Sequence, residues 1–302
     1  MKFKYLPEWR VQKGTILIFP KRNSDWNCCF SEVERDFKNF VEKVAKFQKV
    51  YLISAEKLDW KIENLQIIYG IDYNDTWGRD SLGLVVSNGE SEKVINYNFN
   101  AWGGKFDSTL DNQISRRLEK KGFWSDLIDI DFTIEGGAVE TDGETLLITE
   151  TSVLNSNRPK NSNRDEVEKS LIENLGAEKI VWLKESFLAG DDTDGHIDML
   201  ARFSKKGEIL YSLPKIGTEL KEKFPNHNLV KFPSPTFENF PATYLNFIFV
   251  NGGILFPTYG VSEDLEAEKI FREVFPNREI VPVDSRNFIR QGGSLHCLSM
   301  QI

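Results

Sequence analysis

The stretch GGAVETDGETLLIT, residues 136–149, places a glycine turn beside a short apolar strand. A glycine next to a strand is common by itself, but the same combination recurs along this chain. Four of the five intervals between successive copies are close to 60 residues. The spacing predicts about five repeated units, with the last copy closing a ring against the first. The copies begin at Gly14, Gly78, Gly136, Gly195, Gly252 and Gly292.

Helical patterns lie between these strands. Residues 32–48 carry apolar side chains at helical spacing. Residues 164–175 have Asn163 as a candidate N-cap and Gly176 as a candidate C-cap. Residues 264–275 form a third helix, which Pro276 follows. Alternating strands and helices predict an α/β protein, and we expect one domain over residues 1–302.

Composition narrows the class of protein. Hydrophobic residues make up 40% of the 302 residues and aromatic residues 12%, which is enough for a sizeable core. The formal charge of −8 argues against nucleic acid as a partner and suits a small cationic substrate better. We expect no membrane span, because no window approaches about 18 apolar residues. The sequence leaves open whether the chain forms a homo-oligomer.

The cysteines indicate a reducing compartment. Three are present, and Cys28 and Cys29 are adjacent, so they make a poor disulfide framework. The N-terminus also lacks the apolar segment of a signal peptide, which favours the cytoplasm. A packing role is favoured for the adjacent pair.

Cys297 is the candidate nucleophile. It follows the turn Gly292–Gly293, where a substrate can approach closely. If this segment is a strand, Leu295 and Cys297 share one face and His296 lies on the other. Considered alone, Cys297 is more readily interpreted as a buried, inert thiol.

His196 is the candidate acid–base group. It lies in GDDTDGHID, residues 190–198, among carboxylates that would raise the pKa of an imidazole. On a strand, His196 and Asp198 would share a face. A polar turn is the alternative, and a metal site lacks ligand spacing to the other histidines.

Three further segments carry candidate binding groups. Glu135 ends an apolar run, although a surface acid is the simpler interpretation. Trp77 and Asp80 flank Gly–Arg and could form an aromatic wall and a carboxylate for a cation, unless Arg79 and Asp80 form a structural pair. Trp102, in the loop at residues 100–106, could line a pocket or pack in a turn.

Taken in order, these motifs resemble the agmatine deiminase family, which includes the bacterial-type peptidylarginine deiminases within the pentein superfamily. The resemblance runs almost end to end. Single motifs are weak, but their ordered combination is specific. The matching stretches are PEWRVQKGTILIFP (7–20), TWGRD (76–80), FNAWGGKF (99–106), EGG (135–137), TET (149–151), LNSNR (154–158), TDGHID (193–198), VNGG (250–253) and GGSLHC (292–297).

The resemblance implies a five-bladed α/β-propeller of ββαβ-type units with no metal and no cofactor. It implies Cys297 as nucleophile and His196 as general acid and base. It implies that Asp80 and Asp198 grip a guanidinium group and that Glu135 orients the histidine. Its expected activity is conversion of agmatine and water to N-carbamoylputrescine and ammonia.

The substrate tail stays open at this point. Deimination of peptidyl-arginine or free arginine is the near alternative, and an amidinotransferase is less favoured. Asp191 and Asp192 could receive the distal amine of agmatine, or they could be solvated turn residues. The chain looks shorter than typical family members and carries SLG after Asp80, so loops that contact the tail could differ. The alternative of another class is a non-catalytic binder of guanidino ligands, which would have no evident use for the thiol.

Overall fold

The structure is a computed structural model and describes residues 2–184 and 188–302. The described residues form five β-sheets connected by helices, so the α/β class is confirmed. One sheet, called the closing sheet here, combines both ends of the chain. In spatial order, its strands are Ser299–Gln301, Thr15–Ile18, Val50–Ile53 and Leu65–Ile68.

The other four sheets follow one another along the chain. The second contains Lys4–Tyr5, Leu84–Ser87, Glu92–Asn98 and Leu127–Thr133. The third contains Glu140–Thr141, Thr145–Thr149 and Lys179–Leu183. The fourth contains Ala201–Lys205, Glu208–Tyr211 and Asn228–Lys231, and the fifth Ile248–Val250, Gly253–Thr258 and Glu279–Asp284.

Each sheet contains the same unit. An antiparallel pair of strands is followed along the chain by a helix, and then by a strand that lies parallel to the second strand of the pair. In the third sheet, Glu140 pairs with Leu147 in antiparallel register, and Thr145 pairs with Lys179 in parallel register. A parallel neighbour requires a crossover, and a helix supplies it in every unit. The crossover helices are Phe30–Ala45, Ile114–Lys120, Arg164–Leu175, Pro214–Lys223 and Glu263–Val274.

The predicted helices are confirmed with small shifts at their ends. Arg164–Leu175 has the predicted bounds, because the Asn163 side chain accepts from the backbone N–H of Asp165 and Glu166. The helix ends at Gly176, whose φ is 71°. A Cβ there would lie 2.0 Å from the Phe3 carbonyl oxygen, so the close approach of the N-terminal segment also requires glycine.

Shorter helical segments complete the fold. The α-helical ones are Gly78–Ser81, Ala101–Gly104, Glu150–Val153 and Arg286–Ile289. The 3₁₀ segments are Asp25–Cys29, Asp111–Gln113, Gly136–Ala138, Pro159–Asn161 and Ile197–Met199. Within residues 2–184 and 188–302, no helix is long and apolar enough to cross a membrane.

The strand of the last copy of the repeat pairs with the strand of the first copy, as the repeat predicts. Ser299–Gln301 lies antiparallel to Thr15–Ile18, with Met300 opposite Ile16. Both side chains are fully buried. Five sheets and this closure support a five-bladed ring, which stays a prediction for the arrangement as a whole.

In four of the six copies, at Gly78, Gly136, Gly195 and Gly292, a turn separates the glycine from the strand, and the strand considered for His196 with Asp198 and for Cys297 was wrong. Gly78–Ser81 is a helical turn, Ile197–Met199 is a 3₁₀ turn, and residues 292–298 are irregular. Backbone groups in these turns bond locally; for example, Leu298 N–H donates to the Ser294 carbonyl. Side chains there do not alternate between two faces as they would in a strand.

The largest buried apolar cluster lies between the sheets and reaches the irregular turns. It includes strand residues such as Leu17, Phe203 and Leu255, and it also includes Trp77 and Cys297. The turns are therefore held by the same core that holds the strands.

Candidate active site

Five segments converge, and each immediately precedes the antiparallel pair of one unit. They are the turns ahead of strands Leu84–Ser87, Glu140–Thr141, Ala201–Lys205, Ile248–Val250 and Ser299–Gln301. Each supplies at least one polar side chain to a common site. These side chains are Asp80, Glu135, His196 with Asp198, Asn246 and Cys297.

Contacts between these segments form a closed cycle. Gly137 N–H donates to Asp80 Oδ1 at 2.9 Å, and Glu135 Oε2 lies 3.9 Å from His196 Nε2. Asn246 Nδ2 lies 3.4 Å from Asp198 Oδ2 and 3.1 Å from Cys297 Sγ. Arg79 N–H donates to the Cys297 carbonyl at 3.1 Å, which completes the cycle. The five predicted chemical residues are thus brought together.

Cys297 is buried in an irregular turn rather than on a strand. Its Sγ accepts from the Asn246 amide and lies 3.8 Å from Asp198 Oδ2. Burial raises the pKa of the Cys297 thiol well above its ordinary value, and the carboxylates of Asp198 and Asp80 act in the same direction. In the free protein the thiol therefore keeps its proton at neutral pH.

His196 is fully buried and lies just before a 3₁₀ turn, so the predicted strand is wrong here. Its Nδ1 lies 3.6 Å from Asp80 Oδ1, and its Nε2 lies 3.9 Å from Glu135 Oε2. Burial alone would lower the pKa of His196, but the carboxylates of Asp80, Glu135 and Asp198 outweigh it and raise the pKa to about 9. The ring is an imidazolium at neutral pH.

Asp80 is not paired with its neighbour Arg79. Instead, Asp80 Oδ2 accepts from the Trp102 indole N–H at 3.1 Å, and Arg79 Nη1 lies 3.2 Å from Glu8 Oε1. Burial raises the pKa of Asp80 to about 6, with Asp198 and Glu135 adding to the effect and His196 opposing it. Asp80 is therefore a carboxylate at neutral pH.

Glu135 follows the strand Leu127–Thr133, as predicted, and is fully buried. Its Oε1 lies 3.1 Å from Arg158 Nε and 3.0 Å from Arg158 Nη2. Burial would raise the pKa of Glu135, but His196 and Arg158 together lower it. Its other oxygen faces the histidine.

Asp198 has one oxygen engaged and one without a partner. Oδ2 lies 2.7 Å from His296 Nδ1. Cys297 and His296 therefore both reach Asp198, so the prediction that they point to opposite faces is wrong. Burial would raise the pKa of Asp198, but His296, His196 and Arg202 lower it.

Within the part of the chain that the structure describes, four buried polar atoms of this site have no hydrogen-bond partner. They are Glu135 Oε2, His196 Nδ1, His196 Nε2 and Asp198 Oδ1. A buried polar atom without a partner costs free energy, about 1–3 kcal/mol for each group. Such a concentration of unpartnered atoms around one thiol is typical of a site where a ligand supplies contacts.

A cleft of about 430 Å³, including its open mouth, leads to the thiol. Trp77, Trp102 and Asp192 line it, and their contact with a substrate stays a prediction. Among the described residues, the lining includes four carboxyl side chains and no lysine or arginine. Its residues are Asp25, Asp75, Trp77, Asp80, Trp102, Phe106, Asp192, Thr193, Gln291, Gly292, Gly293 and Cys297.

The two candidate aspartates for the substrate amine differ. Asp192 lines the cleft, whereas Asp191 accepts from the backbone N–H of Thr193 and of Gly195 and so holds the turn before His196. No group of His, Cys, Asp and Glu in the described part of the chain could hold a metal ion.

Several residues of the site were missed by sequence reasoning. Arg158 and Glu8 lie in stretches that match the family, LNSNR and PEWR. Their residue types alone did not indicate which distant residues they contact. Asn246 lies in none of the quoted motifs, and no sequence signal marked it. Its amide contacts Asp198, Met199 and Cys297.

Comparison with known proteins identifies the family to which this chain belongs. The Stutzerimonas stutzeri (strain A1501) agmatine deiminase is 27% identical, and the match covers 98% of this chain and 95% of that protein. A C. jejuni agmatine deiminase with a cysteine-to-serine substitution and substrate bound is 36% identical, with a TM-score of 0.94 over 99% of this chain and 96% of that chain.

A more distant enzyme shares the fold. The structure of DDAH from Pseudomonas aeruginosa complexed with citrulline matches at 14% identity with a TM-score of 0.62, over 97% of this chain and all of that one. The sequence model of the Porphyromonas-type peptidyl-arginine deiminases matches residues 4–302. This chain therefore belongs to the Porphyromonas-type peptidyl-arginine deiminase family.

Proposed function

We propose that this chain hydrolyses the guanidino group of agmatine to give N-carbamoylputrescine and ammonia, with Cys297 as the nucleophile. One observation carries the proposal: four buried polar atoms without partners surround a thiol at the base of an acidic cleft. A guanidinium offers N–H donors to carboxylate oxygens and carries a positive charge.

Substrate binding changes the protonation state of the Cys297 thiol. Asp80 and Asp198 hold the guanidinium and place its carbon beside Cys297 Sγ. The same carboxylates raise the pKa of the thiol in the free enzyme. The bound cation offsets them, so the thiol releases its proton to solvent when the substrate arrives.

The first chemical step is attack on the guanidinium carbon. The sulfur forms a C–S bond, and a tetrahedral adduct results. His196, as imidazolium, gives a proton to the leaving nitrogen; the C–N bond breaks and ammonia departs. The amidino group stays on sulfur with its positive charge.

Water completes the reaction. His196, now neutral, takes a proton from water, and the resulting hydroxide attacks the amidino carbon. The C–S bond then breaks and the hydroxyl proton passes to the sulfur, which releases the ureido product and returns the thiol. Glu135, fixed by Arg158, orients the imidazole through both half-reactions.

The cleft favours a substrate tail that ends in an amine. Asp25 and Asp192 attract an ammonium group, and no basic side chain lines the cleft for a carboxylate. Trp77 and Trp102 form walls along the alkyl chain. The free, adjacent thiols Cys28 and Cys29 fit a reducing compartment, so we place the enzyme in the cytoplasm.

Deimination of peptidyl-arginine is the second candidate, because the matching family carries that description. Ammonia release from agmatine, a peptidyl-arginine and free arginine, measured in parallel, separates the candidates. We expect agmatine to give the highest kcat/KM. Preference for peptidyl-arginine would replace the first candidate by the second, and release from none would favour a non-catalytic binder.

The nucleophile has its own test. Cys297→Ser should reduce ammonia release by at least about 1,000-fold, because a hydroxyl at this position is a much weaker nucleophile without its own base. The melting temperature should stay close to that of the wild type. Cys28→Ser is the matched control and should keep full activity, since Cys28 is exposed. Retained turnover in Cys297→Ser would remove the thiol from the mechanism.

A further inference from the structure

One carboxyl group contacts two tryptophan side chains at the wall of the cleft. Asp75 Oδ1 accepts from the Trp26 indole N–H at 2.8 Å, and Asp75 Oδ2 accepts from the Trp77 indole N–H at 3.0 Å. Asp75 Oδ1 also accepts from the backbone N–H of Thr76 at 2.7 Å. Asp75 and Trp77 both line the cleft. The proposed chemistry assigns no role to Asp75 or to Trp26.

The Trp77 ring lies beside the turn that carries the thiol. A Cβ on Gly293 would lie 2.5 Å from Trp77 Cζ3 and 2.9 Å from Cys297 Cβ. The ring and the cysteine therefore pack against the same glycine. Because Trp77 also lines the cleft, the shape of the cleft next to the sulfur depends on where this ring is held.

Trp26 packs against the Trp77 ring within the core. The two ring centroids lie 5.8 Å apart, and the ring planes are inclined by 43°. Both side chains belong to the largest buried apolar cluster. Apolar packing is not directional, whereas a hydrogen bond from the indole N–H fixes one edge of the ring. Asp75 supplies that bond to both rings.

The backbone at Asp75 is held by a second carboxyl group. Asp111 Oδ1 accepts from the backbone N–H of Asn74 at 2.6 Å, and Asp111 Oδ2 accepts from the backbone N–H of Asp75 at 3.2 Å. The Asp75 side chain in turn faces three N–H donors, which suit the two oxygens of a carboxylate. A side-chain amide has only one oxygen, so it could not serve both indoles in the same way.

We propose that Asp75 is a positioning residue that acts through Trp77: its two oxygens hold the Trp26 and Trp77 indoles and so fix the Trp77 ring as a wall for an alkylguanidinium substrate. A cation is attracted to an aromatic ring only at short range and over its face, so a displaced ring loses that contact. The alternative is that Asp75 attracts the cation by its own charge, since it also lines the cleft.

The test is a double-mutant cycle on agmatine binding. Isothermal titration calorimetry is carried out on the Cys297→Ser protein, so that the ligand is not consumed. Asp75→Asn places an N–H donor against one of the indole N–H groups, and we expect the Kd to rise about tenfold. In the Trp77→Phe background, Asp75→Asn should raise the Kd by less than about twofold, because the phenyl ring offers no N–H to residue 75.

Asp75→Glu separates position from charge. It keeps the negative charge, but the added methylene moves the carboxylate away from the indoles, so we expect a rise in Kd of about tenfold again. Attraction by charge alone predicts a Kd close to that of the parent protein. Glu168→Gln is the matched control, because Glu168 accepts from the Trp182 indole N–H at 2.6 Å, outside the residues that line the described cleft. Its Kd should equal that of the parent.

An unchanged Kd in Asp75→Asn overturns the proposal, even if the melting temperature falls, because stabilising the fold would then be the only role. A tenfold effect that persists in the Trp77→Phe background also overturns it, since Asp75 would then act by its own charge. If Asp75→Asn does not fold, Asp75→Glu decides by its Kd. Lack of agmatine binding to the parent protein would equally refute the proposal.

The inference rests on the proposed function only in taking agmatine as the ligand. Because the cycle measures binding without turnover, the two can fail separately. Additive effects in a protein that releases ammonia from agmatine would refute this inference alone. The expected cycle in a protein that releases no ammonia would refute the proposed function and leave this inference standing.

Discussion

At the residue scale, Cys297 and His196 differ in protonation at neutral pH. Burial and two carboxylates keep the proton on the thiol, while three carboxylates keep a second proton on the imidazole. In the proposed mechanism, the acid is therefore already protonated in the free enzyme, whereas the nucleophile is not yet deprotonated. We propose that a bound cation reverses only the second condition, which would link reactivity to the presence of substrate.

The charge state of His196 gives a pH prediction. Its pKa is raised to about 9, so the ring is protonated at pH 7 and loses its proton as the pH rises through about 9. Since the leaving nitrogen needs that proton, kcat/KM for agmatine should fall on this alkaline limb, about tenfold per pH unit. Steady-state kinetics across the range and a ring proton NMR titration should give matching midpoints.

Asp80→Asn provides the corresponding variant. Asp80 is the main group that raises the pKa of His196, so removing its charge should move the alkaline limb to lower pH. His227→Gln should leave the limb in place. An alkaline limb at the same pH in Asp80→Asn and the wild type would contradict the assignment of that limb to His196.

At the element scale, the turn Gly136–Ala138 is in close contact with the side chains of His196, Asp80 and Asp198. A Cβ on Gly137 would lie 2.7 Å from His196 Nδ1, 2.8 Å from Asp80 Oδ1 and 3.0 Å from Asp198 Oδ2. These atoms belong to fully buried groups and have little room to move. The glycine is therefore required by the site rather than by the backbone conformation.

Gly137→Ala should lower kcat/KM by about 100-fold, since displacements of about 1 Å cost this much in a positioned site. Gly207→Ala is the contrasting control: its φ is 81° and no atom lies near its Cβ. It should cost about 1 kcal/mol of stability through backbone strain and leave activity unchanged. Kinetics and urea unfolding of both variants would check this, and equal activities would refute it.

The same scale explains which elements could be predicted. Arg164–Leu175 was predicted to the residue because its cap, Asn163, and its terminator, Gly176, act locally. The segments that hold Asp198 and Cys297 were considered as strands, but both are turns. Some backbone hydrogen bonds of the site turns go to groups in other units, such as Arg79 N–H to the Cys297 carbonyl, and sequence periodicity carries no information about those.

At the scale of the whole molecule, one buried arginine connects three units. Arg202 lies on a strand of the fourth sheet and pairs with Glu8 and Glu140. It also donates to the carbonyl oxygens of Leu245 and Phe247, ahead of and at the edge of the fifth sheet. Arg202 is fully buried and is an ion-pair partner of both carboxyl groups.

Arg202→Met should lower the free energy of unfolding by about 3–5 kcal/mol, because Glu140 loses its buried ion-pair partner and Glu8 is left with Arg79. Lys206→Met removes a partner of similar type from Glu144 on the surface and should leave the urea midpoint unchanged. Urea unfolding followed by circular dichroism measures both. Equal midpoints for the two variants would show that the buried network does not stabilise the fold.

The sequence by itself determined the α/β class, the period of about 60 residues, the strand that closes the chain on itself, and the candidates Cys297, His196, Glu135, Asp80 and Asp198. These follow from local patterns and from ordered motifs. Only the tertiary structure decided that the candidates meet, that Asn246 and Arg158 join them, and that His296 lies between Asp198 and Glu8. Such contacts join residues far apart in sequence, for example Glu8 and His296. The pKa values of the site residues depend on burial and on neighbouring charges, and only the packed units bring these together.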